Sequence, residues 1–236
     1  AGQIYWNVAQ VRYRPRQTGW SDMDWMIRDW NNWTWLGGDH IVEQHIHNLD
    51  VCNWAKNAHP VEANGMGGDQ LRRALYPQTQ IFDHHFVEFE YADGTRMLSQ
   101  CRQIPGCWAT VSEHVLGSKG TADLLQRGLT ITGANPWRQS ASRGGRDAFQ
   151  QEHDDLFDAI RKDKPYNEAE YGATATMTAI LGRMCTYSGQ QIQWEDAFNS
   201  KLELVPKACS WEAQPPVLPD ADGYYPVAMP GRTVVL

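Results

Sequence analysis

The sequence predicts an α+β fold built on a large open, mostly antiparallel β-sheet covered by helices on one face. Three observations predict it. Between residues 80 and 132, apolar and polar positions alternate in short runs separated by turn signals, the mark of strands joined as successive hairpins. Two later segments, 146–162 and 168–187, carry helical periodicity instead. A chain of 236 residues that is 42% hydrophobic is long enough to bury one sizeable core.

In chain order, residues 3–13 alternate through Ile4, Trp6, Val8, Val11 and Tyr13 and read as a first strand. A loop follows that holds Trp20, Trp25, Trp30, Trp33 and Trp35, five of the eleven tryptophans. Such rings either stack on the C–H faces of sugars and close pockets or carry core burial, and both readings stand. Apolar residues Ile41, Val42, Ile46, Leu49, Val51 and Trp54 then recur at helical intervals, predicting a helix over 39–55 with Gly37-Gly38 as lead-in and Asp39 near the N-cap. Pro60 ends that unit. Residues 61–66 form a short strand, 65–68 a turn, and 80–91 a long strand through Ile81, Phe82, Phe86, Val87 and Phe89. Ala92-Asp93-Gly94 supplies a hairpin signal. Strands at 95–103, 108–116, 121–125 and 129–132 complete a meander, with Pro105-Gly106 and the turn 117–120 as breaks.

Cover for the sheet is expected from the two later helices. The first sets Phe149, Leu156, Phe157 and Ile160 against an acidic face and stops at Lys164-Pro165. The second is rich in small residues (Gly172, Ala173, Ala175, Ala179, Gly182) that permit close packing. Prolines 206, 215, 216, 219, 226 and 230 make an extended tail, so residues 1–200 read as one domain and 201–236 as a Pro-rich wrap.

A net charge of -7 without a basic cluster argues against a nucleic-acid partner, and no apolar run is long enough to span a bilayer. Cysteines 52, 101, 107, 185 and 209 form no CxxC pair and no even framework. No charged leader or apolar signal segment opens the sequence, which reads as either a processed chain or a fragment.

The chemistry concentrates in Gly37-Gly38-Asp39-His40-Ile41-Val42-Glu43-Gln44-His45-Ile46-His47-Asn48-Leu49-Asp50, where six ionisable side chains interleave with buried-type residues. On a continuous helix Asp39, Glu43 and His47 stack on one face, with Asp50 and Trp54 close to the same stripe. A carboxylate beside an imidazole suits proton transfer. A solvated helix face remains an alternative, and so does metal ligation through His45-x-His47 or Glu43 with His47.

These residues resemble the C-terminal, substrate-binding domain of the Gfo/Idh/MocA oxidoreductases, over roughly residues 2–200. The resemblance runs through the helix motif, Val111-Ser112-Glu113-His114, Gly117-Ser118-Lys119-Gly120 and Ile192-Gln193-Trp194. The family's helix carries an Asp five residues after its second Gly, a His nine after it and an Asp twelve after it. Here those places hold Glu43, His47 and Asp50, counted from Gly38. Ser99-Gln100-Cys101-Arg102-Gln103 and Pro219-Asp220-Ala221-Asp222-Gly223-Tyr224-Tyr225-Pro226 are similar to a branch common in planctomycete-type bacteria, many of whose members are exported.

The resemblance implies a dihydrodipicolinate-reductase-like sheet domain whose bare face forms a homodimer or homotetramer. It implies the substrate-binding and catalytic half of an NAD- or NADP-dependent sugar oxidoreductase, with His47 as general acid/base and Glu43 in place of the family's Asp. No GxGxxG follows a strand and the family's Rossmann half is not in the sequence, so no cofactor is expected on this chain alone. Arg12, Trp30, Trp35, His40, His84 and Arg102 are expected sugar contacts, chosen for polarity or aromatic character near the helix mouth. A periplasmic location follows from the branch, with a cytoplasmic one as the alternative. Competing functions are a redox-neutral lyase, hydratase or glycosidase on keto-sugars, possibly metal-assisted, and a carbohydrate-binding scaffold without turnover.

Overall fold

The computed structural model describes residues 1–125, 128–139 and 147–236. Nine strands form one sheet: β1 (Gly2–Val8), β2 (Pro60–Gly68), β3 (His84–Tyr91), β4 (Arg96–Gln103), β5 (Thr110–Gly117), β6 (Gly120–Leu125), β7 (Gly128–Gly133), β8 (Trp137–Arg138) and β9 (Ile192–Gln193). Their order is β8-β7-β6-β5-β1-β4-β3-β2-β9. Every neighbouring pair is antiparallel except β1 with β4, where the first strand enters between two strands made much later. The helices are α1 (Asp22–Arg28), α2 (Thr34–Gly37), α3 (His40–Glu43), α4 (Ile46–Lys56), α5 (Arg72–Leu75), α6 (Ala148–Arg161), α7 (Ala169–Ser188) and α8 (Trp194–Phe198). This is the predicted α+β class, with a large, mostly antiparallel open sheet.

Strand alternation decides which side of the sheet is dry. Ile4, Val87, Phe89, Tyr91, Met97 and Cys101 point to one face and pack with Ile41, Leu49, Ala179, Leu181 and Met184 of the helices. On that face α4 lies over β1 and β5, and α7 over β2 and β3. The opposite face keeps Phe86 and Trp108 exposed and Tyr5 and Leu98 half-buried. Gly65 and Gly67 in β2 let α7 approach the strand, since a Cβ at either would lie 3.2 Å from Thr186, and one at Gly65 would also sit 2.5 Å from the Phe86 carbonyl oxygen of β3 and one at Gly67 2.7 Å from that of His84.

The tryptophan-rich segment builds a second core. Trp25, Met26, Trp33 and Tyr225 are buried together, with Tyr13, Trp20, Trp35, Leu36 and Val217 packed against them. Trp25 donates through Nε1 to the Arg14 carbonyl at 2.7 Å, which anchors the loop after β1. Beyond α8 the chain has no helix or strand, yet Tyr225 enters this core and Val235 the main one.

Four expectations are corrected. The first strand stops at Val8, because Tyr13 leaves the sheet to stack on Tyr76 at 4.5 Å. The strand expected from residue 80 starts at His84, since Asp83 turns its carboxylate onto the backbone N–H groups of Gln70, Leu71 and Arg72. The helix expected over 39–55 is broken in two, as described below. The helix expected over 146–162 is α6, with Arg146 outside the described residues, and it does not cover the sheet. Phe149, Phe157 and Ile160 on its apolar face are 75%, 49% and 64% exposed, because α4 and α7 already occupy the inner face.

Candidate functional site

Gly38 adopts the left-handed conformation (φ 75°) and Asp39 follows at φ 80°, ψ 160°, a region that a residue with a side chain rarely enters. That turn aims the Asp39 carboxylate into the core rather than along the helix. Its Oδ2 accepts from the Phe82 backbone N–H at 2.9 Å and from Tyr187 Oη at 2.6 Å, and its Oδ1 accepts from the His40 N–H. The inner face of β3 adds His85, whose Nε2 lies 3.3 Å from Asp39 Oδ1. His40, His45, His85 and Asp39 are all buried. Burial pushes the His40 imidazole down to about 4 and that of His45 to about 3, so both are neutral near pH 7. Burial alone would raise the Asp39 carboxyl, but the His85 and His40 imidazoles hold it well below the usual carboxylate range.

The helical ladder changes register next. His45 N–H returns to the His40 carbonyl, five residues back, and His47 N–H to that of Gln44, three back, where a regular helix bonds four back. This break rotates the motif's polar residues apart. Asp39 and His45 face inward, the latter with Nε2 2.7 Å from Ser99 Oγ, while Glu43 is half-buried and His47 exposed. The single stripe of Asp39, Glu43 and His47 expected on a continuous helix is therefore not formed. Asp50 turns to Tyr171 of α7, and Asn48 donates to Glu113 of β5. His47 shares the outer face of α4 with Trp54, seven residues on and 72% exposed.

Glu43 sits at the break. Burial pushes its carboxyl up, opposed by a hydrogen bond from Gln44, the charge of Arg12 and a hydrogen bond from Asn31. An elevated, half-buried carboxyl beside a guanidinium and an exposed imidazole on the next turn can hold and pass a proton.

The remaining expected contacts scatter over the molecule. Arg12 is exposed near Glu43, and Trp30 is exposed with its ring against Gly37. His84 and Arg102 pair across β3 and β4 on the open face, with Gln70 and Gln100, around a depression of about 260 Å³. Trp35 lines a cavity of about 310 Å³ with Gln80, Arg183, Tyr187 and the tail residues Val217 and Val235. Neither space contains Glu43 or His47. The His40 ring is fully enclosed, because the strained Asp39 turn swings it inward. Sequence reasoning missed His85 and Tyr187, which reach Asp39, and Thr186, which holds His85. The alternation of β3 was the available signal, since it sets His85 on the dry face between Val87 and Phe89 and the sheet's helices.

No family model matches the chain, and no curated protein matches it by sequence. Solved structures match its fold. UDP-N-acetylglucosamine 3-dehydrogenase GnnA from Acidithiobacillus ferrooxidans aligns with TM-score 0.57 at 16% identity, over 78% of this chain and 52% of its own. Aldose-aldose oxidoreductase from Caulobacter crescentus aligns with TM-score 0.62 at 14% identity, over 81% and 54%. Levoglucosan dehydrogenase, solved with NADH and levoglucosan, aligns with TM-score 0.59 at 10% identity, over 81% and 57%. The chain spans about half the length of these neighbours, and at such identities the likeness establishes the fold.

Proposed function

We propose that this chain is the substrate-binding and catalytic half of an NAD- or NADP-dependent oxidoreductase acting on a sugar or sugar derivative. One observation carries the reading: the sheet and its helices align on a little over half of three oxidoreductases whose names specify a nucleotide sugar, aldoses and levoglucosan. The described residues do not themselves fit a dinucleotide. Their one parallel pair, β1 with β4, is not joined by a helix whose Gly-rich N-terminus would cradle a pyrophosphate. The cofactor and its hydride chemistry belong to the part of such an enzyme that this chain does not span.

What these residues do is bind and move a proton. His47, exposed on α4 with no side-chain partner among the described residues, takes the proton of a sugar hydroxyl or returns it. Glu43, with Arg12 and Asn31 around it, steadies the local charge from the other side of the helix break. Exposed Trp30 and Trp54 near this surface offer faces to a sugar ring.

The test is the native gene product assayed for sugar-dependent reduction of NAD or NADP across aldoses, anhydrosugars and nucleotide sugars. His47→Ala is expected to lower turnover about a hundred- to ten-thousand-fold with its melting curve unchanged, and Glu43→Gln to act in the same direction but less. Near-normal turnover in His47→Ala removes the catalytic assignment. Turnover without net reduction of cofactor favours a lyase or hydratase.

A further inference from the structure

The strongest unexplained chemistry lies behind the helix break, away from Glu43 and His47. We propose that Asp39, His40 and His85 bind one divalent transition-metal ion of the zinc type. The first support is an unmet demand for positive charge. Thr186 Oγ1 donates its only proton to the Arg183 carbonyl at 3.0 Å, so His85 Nδ1, 2.9 Å from that oxygen, must be the donor between them. With Nδ1 the donor, His85 Nε2 faces Asp39 Oδ1 at 3.3 Å in a fully buried space with no hydrogen bond between them. His40 repeats the pattern. Neither of its ring nitrogens makes a hydrogen bond, although Nδ1 lies 2.8 Å from the same carboxylate oxygen. Unsatisfied nitrogens of this kind are rare in a buried place and call for a partner.

The three side chains stand close enough for a small inward shift to make a coordination shell. The three ligand atoms lie within 4.8 Å of one another, and ligands bound to zinc at about 2.0–2.1 Å in a tetrahedron stand about 3.3 Å apart. One carboxylate and two neutral imidazoles suit zinc or cobalt better than calcium or magnesium, which take oxygen shells. The outer groups are already arranged as metal sites require. Thr186 fixes the His85 tautomer, while Tyr187 and the Phe82 N–H hold the second carboxylate oxygen. Arg72 and Arg183 lie near enough to feel Asp39, so coordinate bonds and not net negative charge would retain the ion. Such an ion would pin the Gly38–Asp39 turn to β3, and with it the break that presents Glu43 and His47.

The native protein, purified without chelator or affinity tag, is measured for metal content, stripped with dipicolinate and titrated with Zn²⁺ and Co²⁺. About one ion per chain is expected, with the intense visible bands of low-coordinate Co²⁺ and a melting midpoint that rises with metal concentration. His40→Ala and His85→Ala should lose the ion, while His47→Ala and the half-buried, remote His114→Ala keep it. If the buried variants fail to fold, the stripped wild-type protein decides alone. Absence of binding at micromolar metal with an unshifted midpoint overturns the site and leaves an extra proton on an imidazole as the occupant. Retention of the ion by both buried variants, or its loss from His47→Ala, also overturns it.

Discussion

Burial sorts the five cysteines into two chemical classes. Cys52, Cys101 and Cys185 are buried, and desolvation pushes the thiols of Cys52 and Cys185 up to about 12 and that of Cys101 well above its ordinary value. Cys107 and Cys209 are exposed. The thiolate is the reactive form, so a thiol reagent should label only these two in the native state, and all five in denaturant. Mass spectrometry counts them; fast labelling of a third cysteine contradicts the packing of the main core. Asp29 makes a second residue-scale case. Burial pushes its carboxyl up to about 6 against the hydrogen bonds from Arg14 and Asn32. The folded pKa is above the unfolded one near 3.8, so the contribution is present below about pH 4 and is lost as pH rises through about 6. Denaturant midpoints for wild type and Asp29→Asn between pH 4 and 7 check the sign. The wild type should lose ground to the variant as pH rises, and parallel profiles refute it.

At the scale of elements, the decisive feature is how closely α7 lies on β2 and β3. Gly65 and Gly67 stand where a methyl group would meet backbone carbonyl oxygens of β3, and the same Cβ atoms would lie 3.2 Å from Thr186 of α7. A carbonyl in a paired strand has nowhere to move. Gly65→Ala is therefore expected to destabilise the fold by about 1–3 kcal/mol, the range of overpacking in a filled core. Gly172→Ala, with open space around its Cβ, should be neutral or slightly stabilising through helix propensity. Equilibrium unfolding of the two variants separates a steric effect from a general intolerance of alanine. The short helices α3 and α4 belong to the same scale, because their break is set by the Gly38–Asp39 turn and by His45 reaching Ser99, not by a proline or glycine inside the helix.

For the whole molecule, the open face of the sheet is the feature with most consequence. Phe86 and Trp108 are exposed there and Tyr5 and Leu98 half-covered, which is apolar area that a large sheet tends to bury. Self-association through this face is the expected outcome. Light scattering at tens of micromolar should give a dimer or tetramer, and Phe86→Glu with Leu98→Arg should shift it toward monomer without lowering far-UV helix and strand content. A monodisperse wild-type monomer contradicts it. No described helix is long and apolar enough to cross a membrane.

The sequence by itself determined the fold class, because hairpin alternation and helical periodicity are local signals whose type survives shifts in where each element begins and ends. It also located the segment where the chemistry gathers, since six ionisable groups among Ile41, Val42, Ile46 and Leu49 are conspicuous in one dimension. Only the tertiary structure decided how those groups divide. A helix periodicity assumes an unbroken ladder, and the bond from His45 back to His40 shifts the phase, sending Asp39 and His45 inward and leaving His47 outside. The partners of Asp39 were equally hidden, because His85 and Tyr187 lie 46 and 148 residues away and reach it only when β3 and α7 pack on the same turn. Likewise, α6 has an apolar face, but which helix covers a sheet is settled by competition for space, and Gly182 of α7 lets Phe89 of β3 and Ile41 pack directly against its backbone.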